Sequence, residues 1–417
     1  MSEDQRLRVL HFADAHIDIA NYGRHDPHSG LPIRVVDFLS ALDQIIDAAI
    51  DQAVDLVIFA GDAYKDRNPQ PTFQRAWGQR MMRLSAAGIP TLLLVGNHDK
   101  APAEGRANTI QEFATLDVPH IMVADELSIL GPDRHELPVQ LITVPWLSRS
   151  SLMTREETSG LSHEQVLELI EQRLADGLKR VIDRADPELP LILVAHASVQ
   201  GARYGSERAV MLGHELVLSG NIVNDSRLDY VALGHIHKHQ SLNGDRHPPV
   251  VYPGSIERID FGEAREKKGY VLADVSRGQT SWRFVPLKTR RFVDLEAETT
   301  DANTFMEDIL SQLPGPEEVT GAICRLKLRY PRDWEPLLDE AAISERFAEA
   351  LSFHIQKQHT ISNRARLGDT VAVETLGPVE LLDQYWETID LDPDEAAAMR
   401  KLSQEVLGES ELDSGQD

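Results

Sequence analysis

Leu7–His16 reads LRVLHFADAH, a short apolar run followed by a carboxylate and an imidazole two positions apart. A run of this length between polar residues is a strand buried on both faces. The same pattern recurs at Asp55–Asp62 (DLVIFAGD), Thr91–Asp99 (TLLLVGNHD), Leu191–His196 (LILVAH) and Tyr230–His237 (YVALGHIH). Each run ends in side chains of metal-ligand type: Asp14 and His16, Asp62, Asn97 and His98, His196, then His235 and His237. Open α/β sheets collect ligands beyond the carboxyl ends of their strands, so one sheet can bring these side chains into one pocket.

The spacing and the donor types agree with this. In an extended chain, D-x-H and H-x-H put both side chains on one face. Imidazole, carboxylate and amide oxygen suit divalent transition metals, and the single cysteine, Cys324, excludes a cysteine-rich site. A lone carboxylate such as Asp62 can bridge two ions. Two ions about 4 Å apart clamp the attacking and leaving oxygens of an in-line phosphoryl displacement. Gly61 and Gly96 precede Asp62 and Asn97, where tight turns are needed. The remaining histidines read as bland. His11 faces the other side of its strand in a structural role, His239 is exposed, and His25, His28, His120, His135, His163, His214 and His247 are surface or loop residues.

Between the strands lie helical patterns at Val35–Ala53, Thr72–Ala87, Asn108–Leu116 and His163–Arg184, the last opened by a Ser162/Gln165 capping box. Val250–Tyr252 and Gly269–Val275 read as edge or antiparallel strands. Strands alternating with helices predict a layered α/β domain over residues 1–285. Residues 286–370 predict a small α+β module. It has half-exposed strands at Phe292–Glu298 and Ala322–Tyr330, and helices at Thr304–Leu313 and Asp339–Gln358. Residues 371–417 predict a helical segment ending in the acidic tail Glu409–Asp417.

The 417-residue chain carries a net charge of -25, of which residues 286–417 hold -15, from 13 Lys+Arg against 28 Asp+Glu. Acidity argues against electrostatically driven nucleic-acid binding by the chain alone. The lone cysteine, and an N-terminus without a signal-peptide pattern, suggest a reducing cytoplasm. No run approaches the ~18 apolar residues of a membrane helix, so no membrane role is expected.

D-x-H, G-D, G-N-H-D, a lone His and G-H-x-H, in this order, resemble the calcineurin-like metallophosphoesterase superfamily. Within it the chain is similar to SbcD-type nuclease subunits, bacterial relatives of the meiotic-recombination eleven nuclease. The segment GDAYKDRNPQP after Ala60, ITVPWL at Ile142–Leu147, and VVYPGSIERIDFGE after Pro249 carry that likeness. In the last, Tyr252, Gly254, Ser255, Arg258, Phe261 and Glu263 are the most discriminating positions.

The resemblance implies a layered calcineurin-like sandwich with a small capping domain. It implies two divalent ions, taken as manganese: one on Asp14, His16, Asp62 and His237, the other on Asp62, Asn97, His196 and His235. His98 would contact the phosphate and protonate the leaving oxygen, and Asp99 would orient His98. The implied activity is a DNA nuclease, exonuclease and endonuclease, acting on ends or hairpins. Its implied partner is an SbcC-like coiled-coil ABC ATPase, in a heterotetramer built on a homodimer, docked through Val379–Thr388 (Leu381, Leu382, Tyr385, Trp386) and Asp394–Leu407. DNA affinity would be weak without the partner. Two rivals are a stand-alone phosphodiesterase or phosphatase for nucleotides or phosphoproteins, and a non-catalytic scaffold. Two positions depart from the family pattern: Asp18 replaces the Gly of D-x-H-L-G, and Lys65 stands where some relatives carry a His that influences exonuclease activity.

Overall fold

The computed structural model describes residues 6–101, 106–147, 157, 160–205, 217–360, 382, 386, 395 and 397–403. Its strands are β1 (Leu7–Phe12), β2 (Leu56–Phe59), β3 (Thr91–Leu94), β4 (Ile121–Ala124), β5 (Ser128–Leu130), β6 (Gln140–Val144), β7 (Leu191–His196), β8 (Ser198–Val199), β9 (Val217–Leu218), β10 (Tyr230–Gly234), β11 (Gln240–Ser241), β12 (Val250–Tyr252), β13 (Gly269–Ser276), β14 (Gln279–Pro286), β15 (Phe292–Glu298), β16 (Ile323–Pro331) and β17 (Ser352–Thr360).

Two six-stranded sheets form the first body, in the orders β14-β13-β1-β2-β3-β4 and β11-β12-β10-β7-β6-β5. The strands that end in donor residues run parallel within their sheets: β1, β2 and β3 in one, β7 and β10 in the other. The sheets stack through alternate residues. Val9, Ile58, Leu92 and Leu94 meet Leu141, Ile192, Val194, Tyr230 and Ala232. The opposite set of the first sheet, Leu10, Phe12, Val57, Phe59 and Leu93, packs on helices Ile33–Asp51 and Pro71–Ala86 through Phe38, Leu42, Ile45, Trp77 and Met81. Leu193, Ala195, Val231 and Leu233 of the second sheet pack on Leu174, Leu178 and Ile182 of helix His163–Ile182. That helix begins with the capping box expected at Ser162 and Gln165. The result is a four-layer α/β/β/α sandwich.

This corrects the single-sheet expectation. Strands sandwiched on both faces read as continuous apolar runs whether a helix or another sheet covers them. Val250–Tyr252, expected as an edge or antiparallel strand, is internal: β12 pairs antiparallel with β11 and in parallel with β10. The helix expected at Asp339–Gln358 is confined to Glu340–Arg346, and Ser352–Thr360 is strand β17. The helical pattern over Asn108–Leu116 shrinks to one turn at Glu112–Thr115.

The chain divides into two compact units, one of Met1–Asp294, Gly315–Arg325 and Phe347–His354, the other of Leu295–Pro314, Leu326–Arg346 and Ile355–Asp417. The sandwich lies in the first. In the second, Leu326, Leu328 and Tyr330 are buried while Lys327 and Arg329 are not, the alternation of a half-exposed strand. Helix Phe305–Gln312 buries Phe305 and Ile309 in the same unit. Of the docking positions expected from sequence, Leu382 and Trp386 are described and Trp386 is buried. Leu381 and Tyr385, most of Val379–Thr388, part of Asp394–Leu407 and the acidic tail lie outside the described residues. Among the described residues, no helix is long and apolar enough to cross a membrane.

His11 joins the two sheets. Its ring bonds Tyr230 Oη (Nδ1, 3.0 Å) and the Leu233 carbonyl (Nε2, 3.2 Å), and it is wholly buried. Burial pushes its pKa down to about 3. Below about pH 6.5 the unfolded chain then binds a proton that the folded chain does not. Stability contributed by His11 is complete at pH 7 and falls with acid, by roughly 2 kcal/mol at pH 5. Urea unfolding of the wild type against His11→Asn checks this: the variant should show a shallower loss of stability between pH 7 and pH 5.

Candidate metal centre

The donor side chains come from both sheets. Asp14, His16, Asp62 and Asn97 follow β1, β2 and β3, while His196, His235 and His237 end or follow β7 and β10. Two groups of buried side chains gather there, Asp14 with His16 and His237, and Asp62 with His196 and His235. In each group the donor atoms lie within 4.8 Å of one another. Asn97 Oδ1 completes the second, 2.9 Å from His196 Nε2 and 3.0 Å from His235 Nδ1. Asp62 lies between the groups, its Oδ2 3.4 Å from His196 Nε2 and 3.8 Å from His16 Nε2.

Holding these donors requires unusual backbone. Asp14 (φ 51°), His16 (φ 40°), Asp62 (φ 66°) and His235 (φ 98°) all adopt positive φ. Such residues cost on the order of 1–3 kcal/mol each and cluster at functional sites. Neighbouring loops pin them. Asp14 N–H donates to the Gly61 carbonyl (2.9 Å), Ala15 N–H to the Asp62 carbonyl (2.8 Å), and His235 N–H to the Asp14 carboxylate (3.1 Å). At Gly61 (φ 100°) a Cβ would strike the His196 ring, and at Gly96 it would strike Asp62.

The unused ring nitrogens set the tautomers. His16 Nδ1 donates to the Tyr64 carbonyl (3.1 Å), His196 Nδ1 to the Ala60 carbonyl (2.7 Å), and His237 Nδ1 to Glu263 (3.0 Å). Each Nε2 is thereby turned toward the donor cluster, where it offers a lone pair when the imidazole is neutral. Those of His16 and His237 face each other at 3.2 Å. That contact is repulsive unless a cation or proton lies between, so the donor set fits a metal. Burial keeps His16 well below its ordinary range. Burial also works against charge on His196, yet the carboxylates of Asp62 and Asp14 prevail and push it up to about 9. A proton there stands in for a cation.

Glu263 was visible in sequence only as a motif position. In the fold it holds His237 and is itself held by Lys268 (2.8 Å), and Ser255 N–H donates to the His237 carbonyl (3.0 Å). Burial opposes its charge, but Lys268 and His237 hold its carboxyl well below the usual range. Tyr252 donates to the Ala197 carbonyl (2.7 Å), and Arg258 ties Ala264, Glu266, Thr289 and Arg290 together. The motif after Pro249 is thus the cradle of His237. Glu263→Gln should weaken metal binding by roughly 10–100-fold. Calorimetric titration with Mn²⁺ checks this, and unchanged affinity would remove the orienting role.

Asp99 does not do what sequence suggested. Its carboxylate accepts backbone N–H groups of Asp62 (2.7 Å), Ala63 (2.9 Å) and Gly96 (2.9 Å), locking two donor loops together. Burial and the nearby Asp62 charge push it up to about 7 against those bonds. The His98 ring is held instead by Lys65: Nδ1 donates to the Lys65 carbonyl (2.7 Å), and Nε2 lies 3.4 Å from Lys65 Nζ. Asp18, replacing the family glycine, accepts N–H groups of Lys65 and Asp66 (2.9 Å for the latter) and so braces this loop. Two other histidine readings also change. His135 is buried, and His239 is half-buried, stacked on Phe284 at 4.0 Å.

The sandwich and its paired cluster of nitrogen and oxygen donors define a metal-dependent phosphoesterase. The chain belongs to the calcineurin-like phosphoesterase family, whose profile matches residues 7–239. Its relatives include the SbcD component of the nuclease SbcCD of Escherichia coli (strain K12), 26% identical over 281 residues, 66% of this chain and 66% of that one. "Uncharacterized metallophosphoesterase YhaO" of Bacillus subtilis (strain 168) is 27% identical over 315 residues, 74% of this chain and 68% of that one. "DNA double-strand break repair protein Mre11" of Archaeoglobus fulgidus is 23% identical over 357 residues, 82% of this chain and 73% of that one. The chain thus spans just under two thirds of the Escherichia coli relative's length.

Proposed function

We propose that this chain is a two-metal DNA nuclease. The observation that carries it is the convergence of buried donors in two groups, beside His98 and Lys65 at the edge of an open pocket. Asp14, His16 and His237 would hold one divalent ion, Asn97, His196 and His235 the other, with Asp62 shared. Such ions supply Lewis acidity to a phosphodiester and lower the pKa of water. Manganese is the ion we assign, in keeping with an all-nitrogen-and-oxygen donor set. His98 hydrogen-bonds the phosphate and gives a proton to the leaving oxygen. Lys65 supplies positive charge to the phosphate. Asp99 and Glu263 keep the donor loops and His237 in place.

The reading of substrate and partners is supported by relatives whose names describe a nuclease component and a break-repair protein. We assign residues 286–370 to DNA capping and 371–417 to docking on an SbcC-like ATPase. The nuclease dimer would work within a heterotetramer in the cytoplasm, in DNA repair or recombination. With the acidic excess after residue 286, DNA affinity comes largely from the partner. The test is hydrolysis of linear and hairpin DNA with Mn²⁺, with and without that ATPase. Cleavage that the ATPase stimulates supports the reading. Hydrolysis of small phosphodiesters with no cleavage of DNA under any condition would overturn it in favour of a stand-alone phosphodiesterase.

A further inference from the structure

An open pocket of ≈ 1080 Å³ lies against His98 and Lys65. None of the metal donors lines it. Its walls combine Ile19, Leu31, Phe73 and Ile259 with Asn21, Lys65, Arg67 and Gln70. Small-ligand sites have this character, an apolar body of about 300–1,000 Å³ with a few placed polar groups.

Three features point to one kind of occupant. First, the wall carries two cations, Lys65 and Arg67, and its two carboxylates, Asp18 and Asp66, are engaged by backbone N–H groups. Asp18 is taken up by the N–H groups of Lys65 and Asp66, and Asp66 by the N–H of Asn68 (2.9 Å). Arg67 makes no ion pair among the described residues. Secondly, Asn21 donates its amide N–H to the Ile259 carbonyl (2.8 Å), while its Oδ1 is buried with no hydrogen-bond partner among the described residues. That is an acceptor waiting for a donor, such as the ring N–H of thymine or the exocyclic amine of another base. Thirdly, Phe73 is only half-buried and lines the pocket, offering an aromatic surface.

We propose that this pocket seats an unstacked nucleotide next to the phosphodiester being cut: the base against Phe73 and Asn21, a flanking phosphate against Lys65 and Arg67. The inference rests on the nuclease reading and sharpens its substrate class. A base in the pocket cannot remain paired in a duplex. The enzyme therefore acts on nucleotides already unpaired, in single strands, loops and frayed ends, ahead of intact blunt duplex. Stacking on aromatic side chains tolerates any base, so little sequence preference is expected.

Two chromogenic esters separate the subsite from the chemistry: the p-nitrophenyl ester of thymidine 5′-phosphate, and methyl p-nitrophenyl phosphate, which lacks a nucleoside. The full-length Mn²⁺-loaded protein is assayed with both. Phe73→Leu keeps an apolar side chain where Phe73 also packs on the core. It should lower the ratio of kcat/KM for the thymidine ester to that for the methyl ester by about tenfold, and Phe73→Tyr should restore it. Arg67→Ala, at an exposed position, should raise KM for a single-stranded oligonucleotide several-fold and flatten its salt dependence, even if Phe73→Leu folds poorly. Terminal mismatches should speed cleavage of blunt duplex about tenfold. Unchanged ester ratios in Phe73→Leu, or equal rates on mismatched and paired ends, would overturn the subsite while leaving the nuclease reading intact. If the wild type hydrolyses the methyl ester and cuts no DNA of any form, the nuclease reading fails first.

Discussion

Replacing His98 by Ala should cut turnover by about 10²–10⁴-fold while the protein still binds its metals. The His98 ring belongs to neither donor group. Its backbone N–H donates to Asp62 Oδ1 (2.8 Å), a bond that alanine keeps. Its Nδ1 is committed to the Lys65 carbonyl, which leaves Nε2 as the atom available to a substrate oxygen. Burial lowers its pKa, against the pull of Asp62, so an imidazolium there would release its proton readily to a leaving oxygen. Turnover of a small phosphodiester, with metal content by elemental analysis, checks both halves. Unchanged turnover removes the catalytic role, and loss of metal would make His98 a donor instead.

Asp62→Asn should be at least as severe, and for a different reason. Asp62 is the hub of the site. Its carboxylate lies between the two donor groups, its N–H is held by Asp99, and its carbonyl accepts N–H groups of Ala15 and His16. The amide keeps the shape and the backbone bonds but removes the shared negative charge. We expect metal binding to weaken at both positions together and turnover to fall by more than about 10³-fold, since one carboxylate would serve both ions of a two-metal clamp. The backbone bonds survive, so the far-ultraviolet dichroism should be unchanged. Loss of one ion alone, with the other bound as tightly as before, would show that Asp62 is not shared.

Much of this site could be read in sequence because its chemistry sits at fixed positions relative to local elements. An apolar run followed by Asp14-Ala15-His16 or His235-Ile236-His237 needs no tertiary knowledge to be recognised as a strand delivering donors. The supporting residues were harder to see. Tyr64 and Ala60 act through backbone carbonyls, which every residue has. Asp99 is adjacent to His98 in the chain, and adjacency suggested a partnership, but the turn aims its carboxylate at the N–H groups of Asp62, Ala63 and Gly96 instead. His135 and His239 looked superficial because burial depends on what packs over them. For His239 that includes Phe284, a residue 45 positions away on a strand that sequence did not mark.

The sequence by itself determined that strands, helices and metal-type donors occur in this order, because hydrophobic period and residue chemistry are local properties. Tertiary structure alone decided that the donors come from two stacked sheets rather than one. A strand covered by a helix and a strand covered by another sheet present the same apolar pattern. It also decided which ring nitrogen of each histidine faces the donor cluster. Each tautomer is set by an acceptor far along the chain: Tyr64 for His16, Ala60 for His196 and Glu263 for His237. Those distant acceptors turn scattered histidines into lone pairs facing a common centre.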